Sequence, residues 1–352
     1  MGCWGEWRPV VTMVAVDVTF AVMNILCKKA IDDGMNRLVL ITLRQLVAML
    51  FMAPIAYFRE RKTRPKLTAE ILVYIFFSAL LGAALTQYLF FLGLQYTSAT
   101  FACAFLNMTP VFTFLIALPL RLERLDLKAK AGIAKVIGTL VCLFGAMLLT
   151  LYQGVALTNT STHELQAQHQ ATSTPPADPS TKKWIFGSIA LLAACFCWSL
   201  WFLIQSIIGK KYPALYSSTA LIFFFSFLQA GTMSLATEQG ISSWVLRSKV
   251  EIVTVLFAGV MGSGLGFLGM SWCVEKRGPL FTAAFTPLVQ IIVAGIDVTI
   301  LHERLYLGSV LGSVLVIVGL YFLLWGKSKE VRTCAVKATE ENIEPQVQLQ
   351  NV

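Results

Sequence analysis

Two stretches place polar groups and a proline inside apolar runs: AFLNMTPVFTFLIALPLRLER at 104–124 and AFTPLVQIIVAGIDVTILHER at 284–304. Each spells Thr-Pro, and each ends in Glu-Arg. A proline inside a helix has no N–H to give and crowds the carbonyl four residues back, at about 3 kcal/mol. Pro110 therefore frees the carbonyl of Leu106, and Pro287 that of Ala283. Opened backbone can line a cavity and bind a ligand, or it can be a packing kink. The first reading makes the nearby uncharged polar side chains candidates for binding: Gln87, Asn107 and Thr109, then Gln205, Thr286 and Gln290. Trp198 and Trp201 could wall the same cavity. Each of these residues also has a plainer reading, as a hydrogen bond between helices or an interfacial aromatic. Thr86 and Asn24 belong to the same set of polar residues within apolar runs.

Charged groups within the runs are few. Asp17 lies deep in the first and is either a proton-coupling or ammonium-binding group, or a hydrogen-bonded packing residue. An intramembrane carboxylate costs about 2.5–3.5 kcal/mol on insertion scales and commonly marks a pathway or a partnered site. Arg44 and Asp297 sit toward the ends of their runs; each can snorkel or pair structurally, and Arg44 can instead attract a carboxylate. His163, His169 and His302 all fall in loops, and no cysteine pair has zinc spacing. Nothing calls for a metal or a cofactor, and no Asp/Glu/His cluster supports an enzyme.

What positions these groups follows from composition. The chain has 352 residues, 57% hydrophobic and 13% charged, with mean hydropathy +0.71. A soluble domain carries about 25% charged residues, so the expected solvent is a lipid bilayer. The net charge of +9 is dispersed in short clusters between apolar runs. That arrangement orients a membrane protein and does not track nucleic-acid phosphates. Five of the eight cysteines fall within apolar runs, as small apolar filler. The start, Met-Gly-Cys, lacks the Ser or Thr at position 6 that myristoylation wants, and no signal-peptide cleavage site is evident.

Spans of about 20 apolar residues fit at 9–27, 38–58, 71–94, 98–120, 132–152, 185–207, 214–237, 251–273, 279–300 and 307–326. The expected fold is an all-α membrane protein of ten transmembrane helices. With both termini on one side, 18 Lys/Arg fall on that side and 8 on the other. The positive-inside rule makes the first side cytoplasmic. The polar linker 153–184 then faces away from the cytoplasm, with a glycosylation sequon at Asn159. It divides a first repeat, 9–152, from a second, 185–326; the tail, 327–352, is polar and expected to be disordered and cytoplasmic.

The halves correspond. Gly138 and Gly145 match Gly312 and Gly319 in spacing, and Gly82 matches Gly262. Five spans per half invert the second half relative to the first, the arrangement of many secondary transporters. Gly308-x-x-x-Gly312 allows close helix approach, either by packing within the repeat or in a homodimer.

Five segments carry a family resemblance: FAVMNILCKKAIDDGMNRLVLITLRQ (20–45), LTQYLFFLGLQYTSATFACAFLNMTP (85–110), AKVIGTLVCLFGAMLLTLY (134–152), WCVEKRGPLFTAAFTP (272–287) and LHERLYLGSVLGSVLVIVGLYFLLWGK (301–327). With them the chain resembles a plant member of the drug/metabolite transporter superfamily. The similar group is the EamA-type, nodulin-like one also called UMAMIT, related to the walls-are-thin auxin transporter. The resemblance implies two inverted five-helix EamA-like repeats and facilitated movement of amino acids, with auxin-like acids as the other cargo. The expected location is the plasma membrane ahead of the vacuolar membrane. A multi-pass receptor or channel is the alternative class.

Overall fold

A charge-free run in lipid can satisfy its backbone only within itself, so helix is the element these runs must form. In the computed structural model, helix is what they form. It describes residues 4–97, 105–120, 122, 129–152, 181–237, 244, 246, 248–300 and 307–350, and every regular element among them is helical. In the first half these are α1 (Trp4–Asp32), α2 (Arg37–Glu60), α3 (Ala69–Ala79), α4 (Thr86–Tyr96), α5 (Thr109–Ala117) and α6 (Lys130–Leu151). The second half has α7 (Thr181–Lys211), α8 (Leu215–Thr237), α9 (Lys249–Phe257), α10 (Phe267–Arg277), α11 (Pro279–Ala284), α12 (Thr286–Ile300) and α13 (Leu307–Gln350). Two π-helical segments, π1 (Leu80–Leu85) and π2 (Ala258–Gly266), join α3 to α4 and α9 to α10.

Local chemistry sets the boundaries. The Asn36 side chain caps α2 by accepting from Leu38 N–H, Thr68 caps α3, and Ser248 with Glu251 forms a capping box on α9. Gly34, at φ 102°, lets Met35 N–H turn back to Ala30 O at 3.0 Å and close α1.

Ten apolar runs give eight helices long and apolar enough to cross a membrane among the described residues. The fourth and ninth runs are each interrupted, beside the prolines expected to open their backbone. The fourth breaks at Asn107–Met108 and restarts as the nine-residue α5; the ninth breaks at Phe285 between α11 and α12. The reason in both is Thr-Pro: proline fits the first turn of a helix, where its missing N–H is not needed. The tail departs from expectation, since α13 runs on to Gln350 through residues expected to be disordered. Its Ala, Glu, Lys and Gln are strong helix formers. Low hydrophobicity alone does not distinguish a polar helix from a disordered chain. The sequon Asn159, most of the linker and the Glu-Arg pairs 123–124 and 303–304 lie outside the described residues.

Large apolar side chains such as Phe144 and Leu235 face outward, as lipid requires. Inside, glycines bring helices together. A Cβ on Gly138 would stand 2.6 Å from Leu323 N and 2.7 Å from Gly319 O. One on Gly145 would stand 2.7 Å from Val316 N and 2.9 Å from Gly312 O. The two glycine pairs thus meet crosswise, Gly138 against Gly319 and Gly145 against Gly312, and ascending numbers on α6 oppose descending numbers on α13, so the two helices run antiparallel. Gly308 lies against the Tyr152 carbonyl, so the Gly-x-x-x-Gly face packs between the two halves and not within one repeat. In π2 and α10, Gly262, Gly266 and Gly269 receive Met23, Phe20 and Val16 of α1.

The two ends of the bundle differ. At one, Glu60 accepts from the backbone N–H groups of Tyr216 (3.0 Å) and Ser217 (2.7 Å), while Arg59 Nη1 donates to Tyr216 Oη at 3.3 Å. Lys211 pairs with Glu70 there and lies 4.8 Å over the Tyr74 ring. At the other, a cleft of about 510 Å³ opens, lined by residues including Ile31, Asn36, Leu38, Tyr88 and Leu92.

Overpacking a tight contact costs about 1–3 kcal/mol, and here the obstructing atoms are backbone. Gly138→Leu is therefore expected to lower the melting temperature of the detergent-solubilised protein sharply or to prevent its accumulation. At Gly295 an added methyl group would meet nothing within 4 Å, so alanine there should leave stability unchanged or raise it.

Candidate functional site

At the first break, Pro110 leaves Leu106 O without its helical donor, and the preceding residue supplies one. Thr109 Oγ1 donates to Leu106 O at 2.6 Å. The threonine is itself held by α7: Ser199 Oγ donates to Thr109 O at 3.2 Å, and Cys195 Sγ lies 3.5 Å from its hydroxyl. At the second break, Phe285 N–H turns back to Thr282 O at 3.3 Å and Leu288 N–H to Phe285 O at 2.8 Å. Thr286 is half-buried and makes no bond like that of Thr109.

The two breaks meet through their amides. Asn107 Nδ2 donates to Gln290 Oε1 at 2.9 Å, across 183 residues of sequence. Asn107 is buried, and its Oδ1 has no donor. Of the expected residues, these two are in direct contact, one from each half.

Gln205 is placed otherwise. Its Nε2 donates to Ser78 Oγ at 2.7 Å and its Oε1 accepts from Ser271 Oγ at 3.3 Å, tying α7 to α3 and α10. Its amide is engaged at both ends, which makes it a clasp between helices. Gln87 opens α4, half-buried, beside Thr86, whose hydroxyl donates to Leu81 O within π1 at 2.5 Å. Trp198 and Trp201 stack at 4.9 Å and 10°, with Phe202 and Phe267 edge-on around them. Trp201 is fully buried against Gly82, and its Nε1 has no acceptor.

Asp17 is 2% exposed, and its Oδ2 has no donor. Asn24 is exposed on the outside of α1, away from any interior site. Sequence reasoning missed Gln45, fully buried on α2 with neither end of its amide partnered. It missed the serines too: Ser78, Ser199 and Ser271 hold the expected residues in place. The Arg44-Gln45 pair in an apolar run was the available signal. Among the described residues no group of His, Cys, Asp and Glu could hold a metal ion.

Paired π segments and paired proline breaks in the two halves of an all-helical bundle mark a membrane protein built by repeating one domain. The chain belongs to the EamA-like transporter family, whose model matches it twice, at residues 7–151 and 185–325. It is an integral multi-pass membrane transporter, and the domain is repeated. A WAT1-related protein of Arabidopsis thaliana is 45% identical over 94% of this chain and 90% of its own length. A second is 47% identical over 92% and 88%. Protein WALLS ARE THIN 1 of the same plant is 36% identical over 93% and 85%. A crystal structure 14% identical in sequence superposes with TM-score 0.65 over 90% of this chain and 97% of the other, a likeness of fold.

Removing the hydroxyl that satisfies Leu106 O leaves a part-buried acceptor unpaired, at up to about 1–3 kcal/mol. Thr109→Val should lower thermal stability accordingly, and Thr109→Ser should restore it. Gln205→Ala should likewise reduce stability by breaking the Ser78–Ser271 clasp, which thermal unfolding in detergent would register.

Proposed function

We propose that the chain is a secondary carrier moving amino acids or related small organic acids, auxin-like acids included, across a plant plasma membrane by alternating access. In this reading its ten spans form two inverted five-helix repeats, with α5 as the fourth span and α11 with α12 as the ninth. The antiparallel contact of α6 with α13 supports inversion, since each ends its own EamA-like match. The end that gathers the basic loops around Glu60 and Lys211 is the cytoplasmic one by the positive-inside rule. Both termini then lie in the cytoplasm. The clasped cytoplasmic end and the cleft at the opposite end fit a carrier resting closed toward the cell interior.

The observation that carries the site is the Asn107–Gln290 bond at the junction of two broken helices. Broken backbone within a membrane is tolerated where it is buried or lines a cavity, and carriers place substrate there. Asn107 Oδ1, an acceptor without a donor, suits a cargo ammonium; the Trp201 indole N–H, a donor without an acceptor, suits a carboxylate oxygen. Gln87, Thr286 and Trp198 border the same elements. Neutral partners of this kind bind the ends of a zwitterion without burying a permanent ion.

Radiolabelled uptake and efflux in oocytes, with amino acids against indole-3-acetic acid at two pH values, tests the cargo. Loss of a hydrogen bond to a charged cargo group costs about 1.5–3 kcal/mol, or roughly 10- to 150-fold in affinity. Asn107→Ala should weaken transport by that amount at unchanged surface expression. Normal transport by the well-expressed variant would move the site elsewhere.

Asp17 is the proposed proton-coupling group, because its buried oxygen has no protein partner. Asp17→Asn should then flatten the pH dependence of uptake while the protein still reaches the membrane. A variant with the wild-type pH profile and rate would leave Asp17 a packing residue.

A further inference from the structure

Arg44 is a cation in the wrong place for a merely structural role. It is 7% exposed on α2, and its Nε is buried without an acceptor. Its Nη1 finds the Met23 thioether at 3.9 Å, a weak acceptor. Cys27 of α1 lies close enough to interact with it electrostatically, and Gly259 of π2 packs against its backbone carbonyl. Among the described residues no carboxylate forms an ion pair with it. A guanidinium cannot shed its proton to escape burial. A buried, uncompensated ion is costly, so such sites hold a counter-charge when they work.

The place suits an arriving anion. Cys27 lies one turn, about 6 Å at 1.5 Å per residue, from Ile31 on α1. Leu38 lies about 9 Å along α2 from Arg44 on the same measure. Ile31 and Leu38 both line the cleft, whose rim also carries Arg37. Arg44 thus lies on α2 less than two turns from a cleft-lining residue, and the cleft opens at the end of the bundle away from the Glu60 clasp. Its planar fork matches a carboxylate in bidentate geometry.

We propose that Arg44 is an anion seat that receives the carboxylate of a small monocarboxylate cargo entering from the cleft, before or beside the Asn107–Gln290 junction. The proposal rests on the carrier reading and adds to it a charge requirement. Acids pass, and the matching amides, which lack the carboxylate, are rejected.

The test uses the full-length protein in nanodiscs and in oocytes. The probes are L-glutamine with L-glutaminamide and indole-3-acetate with indole-3-acetamide. At least one acid should raise the melting temperature of the wild type where its amide does not. Arg44→Met should abolish that shift and raise the half-saturation concentration for the acid roughly 10- to 100-fold, the range expected when a charged hydrogen bond is lost. Arg44→Lys, which keeps the charge and loses the fork, should fall between. The proposal is overturned if Arg44→Met keeps the acid-over-amide preference, or if neither acid stabilises the wild type. Should Arg44→Met fail to accumulate, Arg44→Lys and the wild-type shift decide alone. A wild type that binds acids yet moves none sinks the carrier reading and leaves the seat standing. One that moves amides as well as acids does the reverse.

Discussion

Two apolar helices in lipid gain nothing by hiding from water, so this bundle depends on places where backbones come into van der Waals contact. The seam between α6 and α13 is the clearest. Gly138 lies on Gly319 and Gly145 on Gly312, with main-chain atoms where any side chain would have to go. The same economy recurs where α1 lies along Gly262, Gly266 and Gly269. Dispersion over a close contact replaces the hydrophobic effect here, and dispersion falls steeply with distance. That is why glycine, and not leucine, marks the seams.

The second constraint is that no backbone group can be left bare in hydrocarbon. It explains how the chain tolerates two broken apolar runs. At Pro110 the orphaned carbonyl is answered locally by Thr109, and Thr109 is steadied in turn by Ser199 from the other half. The Thr-Pro pair is thus a self-contained break, opening the helix and closing its own polar loss in two residues. The second copy lacks the threonine bond and turns through Phe285 instead. The two halves therefore share a plan without sharing every contact.

Much of this was legible in the sequence because it is enforced by backbone geometry. Proline cannot donate and glycine has no side chain, so their spacing survives as pattern even where the halves otherwise differ. The pairings of Gly138 with Gly319 and of Asn107 with Gln290 involve residues singled out by that pattern. Side-chain networks were not legible. Ser78 and Ser271 matter because they reach Gln205, and nothing in an isolated serine announces its partner. Gln45 and Asn24 are both amides in apolar runs, yet one is fully buried and the other exposed. The face of a span is set by its neighbours, and a span apolar all round gives no periodicity from which to infer it. The π segments were hidden for a related reason: one extra residue in a turn changes no composition.

The clasp at the basic end has an asymmetry of its own. Glu60 supplies a side chain, but what it grips is the main chain of Tyr216 and Ser217 at the start of α8. Every residue except proline offers the same N–H group there. Variation at those two positions leaves the grip intact, while the carboxylate depends on a single codon. For this one contact, sequence change on the second half is nearly silent, and its strength is set from the first half of the chain.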